Sequence, residues 1–119
     1  MDWKLDDGRP IWPQLSQQLA RRIIAGVYPP GSRLPSVREL AAEAGVNPNT
    51  MQRALAQLEQ DGLAKADRTA GRLVTRDAAA LEAVRIQEAR AVIQQYFEAM
   101  AALGYTREQA LALLKEEFQ

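Results

Sequence analysis

From Gly45 to Leu55 the chain reads GVNPNTMQRAL, a stretch whose polar groups suit recognition rather than bond-breaking. The amides of Asn49 and Gln52 each present a donor and an acceptor side by side, so either can pair with both on one base edge, and the Arg53 guanidinium can give two parallel hydrogen bonds to guanine. Free N–H groups at a helix start attract phosphate. Other chemistries lack their residues. The 119 residues contain no histidine and no cysteine, which excludes a disulfide framework and thiolate zinc sites and removes the commonest general base. There is no phosphate-binding glycine loop and no dense carboxylate cluster. The expectation is a protein that is not an enzyme and uses no cofactor and no metal.

These side chains meet a groove only if a helix turns them outward together. Asn47 is an N-cap with Pro48 in the first helical position, and Met51, Ala54, Leu55 and Leu58 form an apolar stripe. At 100° per residue, Asn49, Gln52, Arg53 and Gln57 then lie on the opposite side. Upstream, Ile11, Leu15, Leu19 and Ile23 predict a first helix over about 10–25, and YPPGSRLPS is a turn. Ser36 with Glu39 makes a capping box for a short second helix that stops at Gly45, with Val37, Leu40, Ala41 and Ala44 inward. Downstream, LAKAD and GRLVT predict a hairpin joined by Arg68-Thr69-Ala70. Two helices, a short turn, then a hairpin is the order of a winged helix-turn-helix.

Charge agrees with this placement. The net charge of zero conceals ten Lys/Arg against five Asp/Glu between Arg9 and Arg76, and five against ten in the remainder. A phosphate backbone feels the local charge, because fields beyond about 8 Å are largely screened at physiological salt. No apolar run exceeds five residues, far below the roughly 20 needed to cross a bilayer. MDWKLDDGRP lacks the apolar segment of a secretory signal, so a cytoplasmic protein with no membrane partner is expected.

The run PPGSRLPSVRELAAEAGVNPNTMQRALAQLEQDGLAKADRTAGRLVT resembles the DNA-binding domain of GntR-family bacterial transcription regulators, over roughly residues 9–76. NPNT, RTAGRLVT and the brief helical tail are most similar to the YtrA subfamily. The resemblance implies that Arg38, in SVREL, reaches a guanine edge, and that Asn47, Asn49, Thr50 and Arg53 line the groove. It also implies that the hairpin tip at Gly71 approaches the minor groove. Ser36 and Gln52 belong to the same expected interface. Many relatives carry a Gly-Lys-Gly wing tip where this chain has Thr69-Ala70-Gly71-Arg72, leaving Arg68 and Arg72 to replace the lysine. By residue type alone, Arg38 is an exposed residue able to pair with Glu43, Arg21 and Arg22 sit on a solvated face, and Arg33 either touches phosphate or covers the proline turn.

The tail, residues 77–119, is expected to dimerise the protein, as in the YtrA subfamily, whose regulated genes commonly include an ABC transporter. A helix from Asp77 to about Leu103 carries Ile86, Ala89, Ile93, Tyr96, Phe97, Met100 and Leu103 and would reach roughly 40 Å. Thr106 with Gln109 caps a last helix bearing Leu111, Leu114 and Phe118. A stripe so long calls for a second subunit, although the last helix folding back over it would give a monomer. Two helices leave little room to enclose an effector pocket of ~300 Å³ in one subunit, while a pocket between subunits stays open. The expected fold is thus mainly α with a minor β part, a winged helix-turn-helix over 9–76 and a two-helix tail over 77–119. The expected function is a homodimeric repressor on a pseudo-palindromic operator of double-stranded DNA. The alternative is a winged-helix module that binds protein instead.

Overall fold

The computed structural model describes residues 2–118. Its described elements are α1 (Ile11–Ile24), α2 (Val37–Ala44), α3 (Pro48–Gln60), β1 (Ala64–Asp67), β2 (Gly71–Val74), α4 (Ala78–Ala102) and α5 (Arg107–Glu117). The chain divides into two compact units, Met1–Arg85 and Ile86–Gln119.

In the first unit the expected stripes are the core. Leu15, Leu19 and Ile23 of α1, Leu40 and Ala41 of α2, and Met51, Ala54, Leu55 and Leu58 of α3 are buried with Leu34, Leu63 and Val74. Ser36 Oγ accepts from the Glu39 N–H at 3.1 Å, and the Glu39 carboxylate accepts from the Ser36 N–H at 3.4 Å, so the capping box fixes the start of α2. Gly45 ends it at φ +70°, a left-handed conformation that costs a residue with a Cβ about 1 kcal/mol or more. Asn47 Oδ1 accepts from the Asn49 N–H at 2.7 Å to open α3.

β1 and β2 pair antiparallel from Ala64 opposite Val74 to Asp67 opposite Gly71. The chain after the proline turn adds a third edge: the Leu34 N–H donates to the Arg72 carbonyl, and the Val74 N–H to the Ser32 carbonyl. Leu81 and Val84, in the first turns of α4, pack on the same core. The first unit therefore extends past the wing.

Arg22 departs from its expected solvated face. It is 7% exposed, its Nη1 donates to Tyr28 Oη at 3.0 Å and to Glu43 Oε1 at 3.1 Å, and its guanidinium lies 4.0 Å from the Trp3 ring centroid. Trp3 Nε1 donates to the same Glu43 oxygen at 3.2 Å. Glu43 is thus the partner of Arg22 and not of Arg38. Carboxylate, hydroxyl and ring offset much of the hydration this buried cation loses, although its Nη2 has no hydrogen-bond partner among the described residues. Gln14 and Gln18, one turn apart on α1, hold the N-terminal segment. Gln14 exchanges hydrogen bonds with the backbone of Asp6, and Gln18 with that of Lys4.

In the second unit α5 does fold back on part of α4. Tyr96 Oη donates to the Ala110 carbonyl at 2.7 Å, Ala110 is fully buried, and Arg107 lies over the Phe97 ring. That covers little of the apolar surface. Ile86, Ile93, Leu103, Leu111, Leu114 and Phe118 stay exposed, and so does Val92, which is outside the expected stripe.

Glu43→Ala is expected to lower unfolding free energy by about 1–3 kcal/mol, because it strands the Arg22 charge and removes the acceptor of Trp3. Urea denaturation followed by far-ultraviolet circular dichroism measures the change, and a neutral result would mean that water replaces the carboxylate.

Candidate nucleic-acid interface

α3 buries one face completely and so turns the other outward. With Met51, Ala54, Leu55 and Leu58 at zero exposure, Asn49, Gln52 and Arg53 are exposed and Thr50 is half-buried. Asn47, at the head of the helix, is exposed too, but its carbonyl oxygen is spent on the cap. Its amide N–H groups are what remain for a partner. Ser36 has a similar division: its oxygen accepts the Glu39 N–H, and its hydroxyl hydrogen is still available to donate. Arg38, two residues on, is exposed. Gln57, expected on the outer face, is half-buried and donates to Asp61 at 2.9 Å.

Between the start of α2 and the wing lies an open depression of about 320 Å³ that brings together Ser36, Gly71 and Arg72 with Arg33 and Asp67. The wing turn is built by Asp67, whose Oδ1 accepts from the Thr69 N–H, the Thr69 hydroxyl and the Ala70 N–H, each at 2.9 Å. The Ala70 and Thr69 N–H groups, followed by the Thr69 hydroxyl, hold its carboxyl below the usual carboxylate range. Since the folded value is the depressed one, this contribution to the turn is present above the unfolded value and is lost as pH falls through the folded one. The wing is accordingly at full strength at neutral pH. Gly71 follows the turn at φ +83°.

Two wing arginines differ in what holds them. Arg68 is exposed in the turn, whereas Arg72 Nε donates to Glu59 of α3 at 2.6 Å with the pair largely covered. Arg72 therefore braces the wing against α3 in the free protein. Arg33, left open by the sequence, bridges Leu73 and sits beside Gly71, so the segment after the proline turn belongs to the wing. Its signal was the extended SRL following Gly31. Trp12, unremarked in the sequence, lies under Arg53 of α3; no pattern of apolar spacing marks such a contact.

The family model for bacterial regulatory proteins of the gntR family matches residues 13–74. The chain belongs to the GntR family. It is a DNA-binding transcriptional regulator of the YtrA-like type. The HTH-type transcriptional regulator YhcF of Bacillus subtilis is 32% identical over 115 residues, covering 97% of this chain and 95% of that protein. The HTH-type transcriptional repressor YtrA of the same organism is 39% identical over 69 residues, which is 58% of this chain and 53% of YtrA. A GntR-family regulator from Listeria monocytogenes superposes at TM-score 0.81 with 34% identity, covering 94% of this chain and 98% of its own. These GntR relatives are regulators and not enzymes, and the winged helix-turn-helix fold is shared with GntR neighbours of known structure. Among the described residues no helix is long and apolar enough to cross a membrane.

Two expectations follow from how the candidate interface residues of this GntR regulator are held. Arg38→Ala should cost roughly 1–3 kcal/mol on a specific site and relax preference at one base pair per half-site, as a bidentate arginine would. Equal loss on specific and random duplexes would make Arg38 a phosphate contact. Glu59→Ala should release Arg72 and steepen the salt dependence of binding, because a cation freed from its carboxylate can neutralise about one more phosphate. Affinities titrated across a salt series by fluorescence anisotropy decide both.

Proposed function

We propose that the protein is a repressor that binds a pseudo-palindromic operator as a two-fold symmetric homodimer. Asn47, Asn49, Thr50, Gln52 and Arg53 of α3 enter the major groove, Ser36 and Arg38 of α2 reach its edge, and Arg68, Gly71 and Arg72 of the wing approach the adjacent backbone and minor groove. The observation that carries the reading is the division of α3 into a fully buried apolar face and an outer face of amides and a guanidinium. Base edges call for paired donors and acceptors of this kind, whereas the centre of a protein–protein interface draws mainly on aromatic and other large apolar side chains, which this outer face does not present. Repression is supported by the name of the YtrA relative, a transcriptional repressor. Control of ABC-transporter genes is the corresponding proposal for the regulated targets.

Dimerisation rests on the second unit. Leu103 is 73% exposed and Phe118 81% exposed, with Ile86, Ile93, Leu111 and Leu114 also open, and a row of large apolar side chains facing water marks an association surface. Tyr96, Phe97 and Met100 lie half-buried in the same helix and extend that surface inward. A closed two-fold pairing would set two recognition helices on half-sites about one turn, ~34 Å, apart.

Truncation after Arg85 tests this. The cut keeps Leu81 and Val84, which pack on the core, so the shortened protein should stay folded and sediment as a monomer. Its operator affinity should fall about 10² to 10⁴-fold, the gain that linkage of two half-sites supplies. A full-length protein that is monomeric at micromolar concentration (~8 kcal/mol on the dissociation scale) and binds a lone half-site equally well would refute the dimer. Sequencing the genomic fragments retained by the full-length protein identifies the operator and its genes, and binding that ignores salt would favour the protein-partner alternative.

A further inference from the structure

Three arginines lie over aromatic rings, and they end differently. Arg22 over Trp3 is buried, and its Nη1 donates to both Glu43 and Tyr28 while its Nη2 has no hydrogen-bond partner among the described residues. Arg107 over Phe97 belongs to the tail. Arg53 has its Cζ 4.4 Å from the centroid of Trp12, in the first turn of α1, yet it is exposed, and no hydrogen bond or ion pair ties its guanidinium to another described residue. Trp12 is half-buried, so the platform is more covered than the arginine it carries.

The geometry of the stack determines what it leaves free. A ring attracts a guanidinium through its face, whereas all five N–H donors point outward in the guanidinium plane. With its Cζ over the ring and no hydrogen-bond partner among the described residues, Arg53 keeps donors for an incoming acceptor. It also restricts a long side chain before any partner arrives, and the rotamer freedom given up beforehand is not lost again on binding.

We propose that Trp12 is a positioning residue for DNA recognition, a platform on α1 that presets the Arg53 fork for two in-plane acceptors of DNA, either guanine O6 and N7 or two phosphate oxygens. This rests on the reading that the outer face of α3 meets DNA. It adds to that reading a determinant on α1, a helix with no other assigned part in recognition, and it makes the residue at position 12 tune what the residue at position 53 reads.

The test uses the full-length protein with the genomic fragment it retains and a random duplex of equal length. Trp12→Leu keeps apolar bulk without a ring and should weaken binding about 3- to 10-fold, on the scale of one cation–π contact. Trp12→Phe, which keeps a smaller ring, should recover most of that. Arg53→Ala should lose at least as much, and the Trp12→Leu/Arg53→Ala double variant should be no weaker than Arg53→Ala alone, since the platform acts only through the arginine. Loss confined to the specific fragment, with one base pair relaxed in both Trp12→Leu and Arg53→Ala, identifies guanine as the acceptor. Equal loss on both duplexes with a salt slope shallower by about one identifies phosphate. Thermal melting checks folding, and if Trp12→Leu does not fold, the same cycle is run with Trp12→Met, which also lacks a ring. Additive losses, or unchanged affinity on losing the ring, overturn the platform. Asn49→Ala separates the two levels: if it weakens binding while Trp12 and Arg53 variants do not, the platform alone is wrong, and if none of the three matters, the interface on α3 is wrong with it.

Discussion

The structure depends on the burial of one face of α3. Met51, Ala54, Leu55 and Leu58 are fully covered by α1, α2 and the chain entering the wing, and each large side chain so buried contributes about 1.5–3 kcal/mol relative to exposure. A helix held on one face has no rotational freedom left, so the directions of Asn49, Gln52 and Arg53 follow from the packing behind them. The same constraint reaches the neighbours. α2 can supply Leu40 and Ala41 to that core only because Gly45 turns the chain sharply enough to bring α2 and α3 together.

Around this core the basic side chains have been sorted by their partners. Arg22 is taken inward by Glu43, Tyr28 and Trp3, and Arg72 is drawn to Glu59, while Arg38 and Arg68 stand open and Arg53 rests on a ring with its donors unspent. A local excess of positive charge brings DNA near, but the charges able to act on it are those not already neutralised. Two of the ten cations counted between Arg9 and Arg76 thus serve chiefly to hold the N-terminal segment and the wing in place. Asp67 is structural in the same sense, its carboxylate accepting the hydrogen bonds that shape the wing turn.

The second unit follows the opposite logic. Its helices meet through Tyr96, Phe97, Arg107 and Ala110, and that small contact leaves most of the large apolar side chains exposed. So few residues cannot enclose a core of their own, because surface falls more slowly than volume as a chain shortens. The proposed homodimer would use such incompleteness, since the surface that one copy leaves open is the surface another can cover.

What the sequence by itself determined is what local chemistry and periodicity decide. The capping boxes at Ser36 and Thr106, the Asn47-Pro48 start and the stop at Gly45 are satisfied within a few residues of chain. So the helices, the wing and the outward face of α3 were legible, as was the family. What only the tertiary structure decided are contacts between residues far apart in sequence. Glu43 lies closer to Arg38 along the chain, yet it pairs with Arg22 and Trp3; Arg72 is engaged by Glu59; Arg53 finds Trp12; and the N-terminal segment is pinned by Gln14 and Gln18. None of these residues announces its partner, because a charge, an amide or a ring has many equivalent partners in a sequence. Only the packing of α1, α2 and α3 about one core selects which of them come within reach.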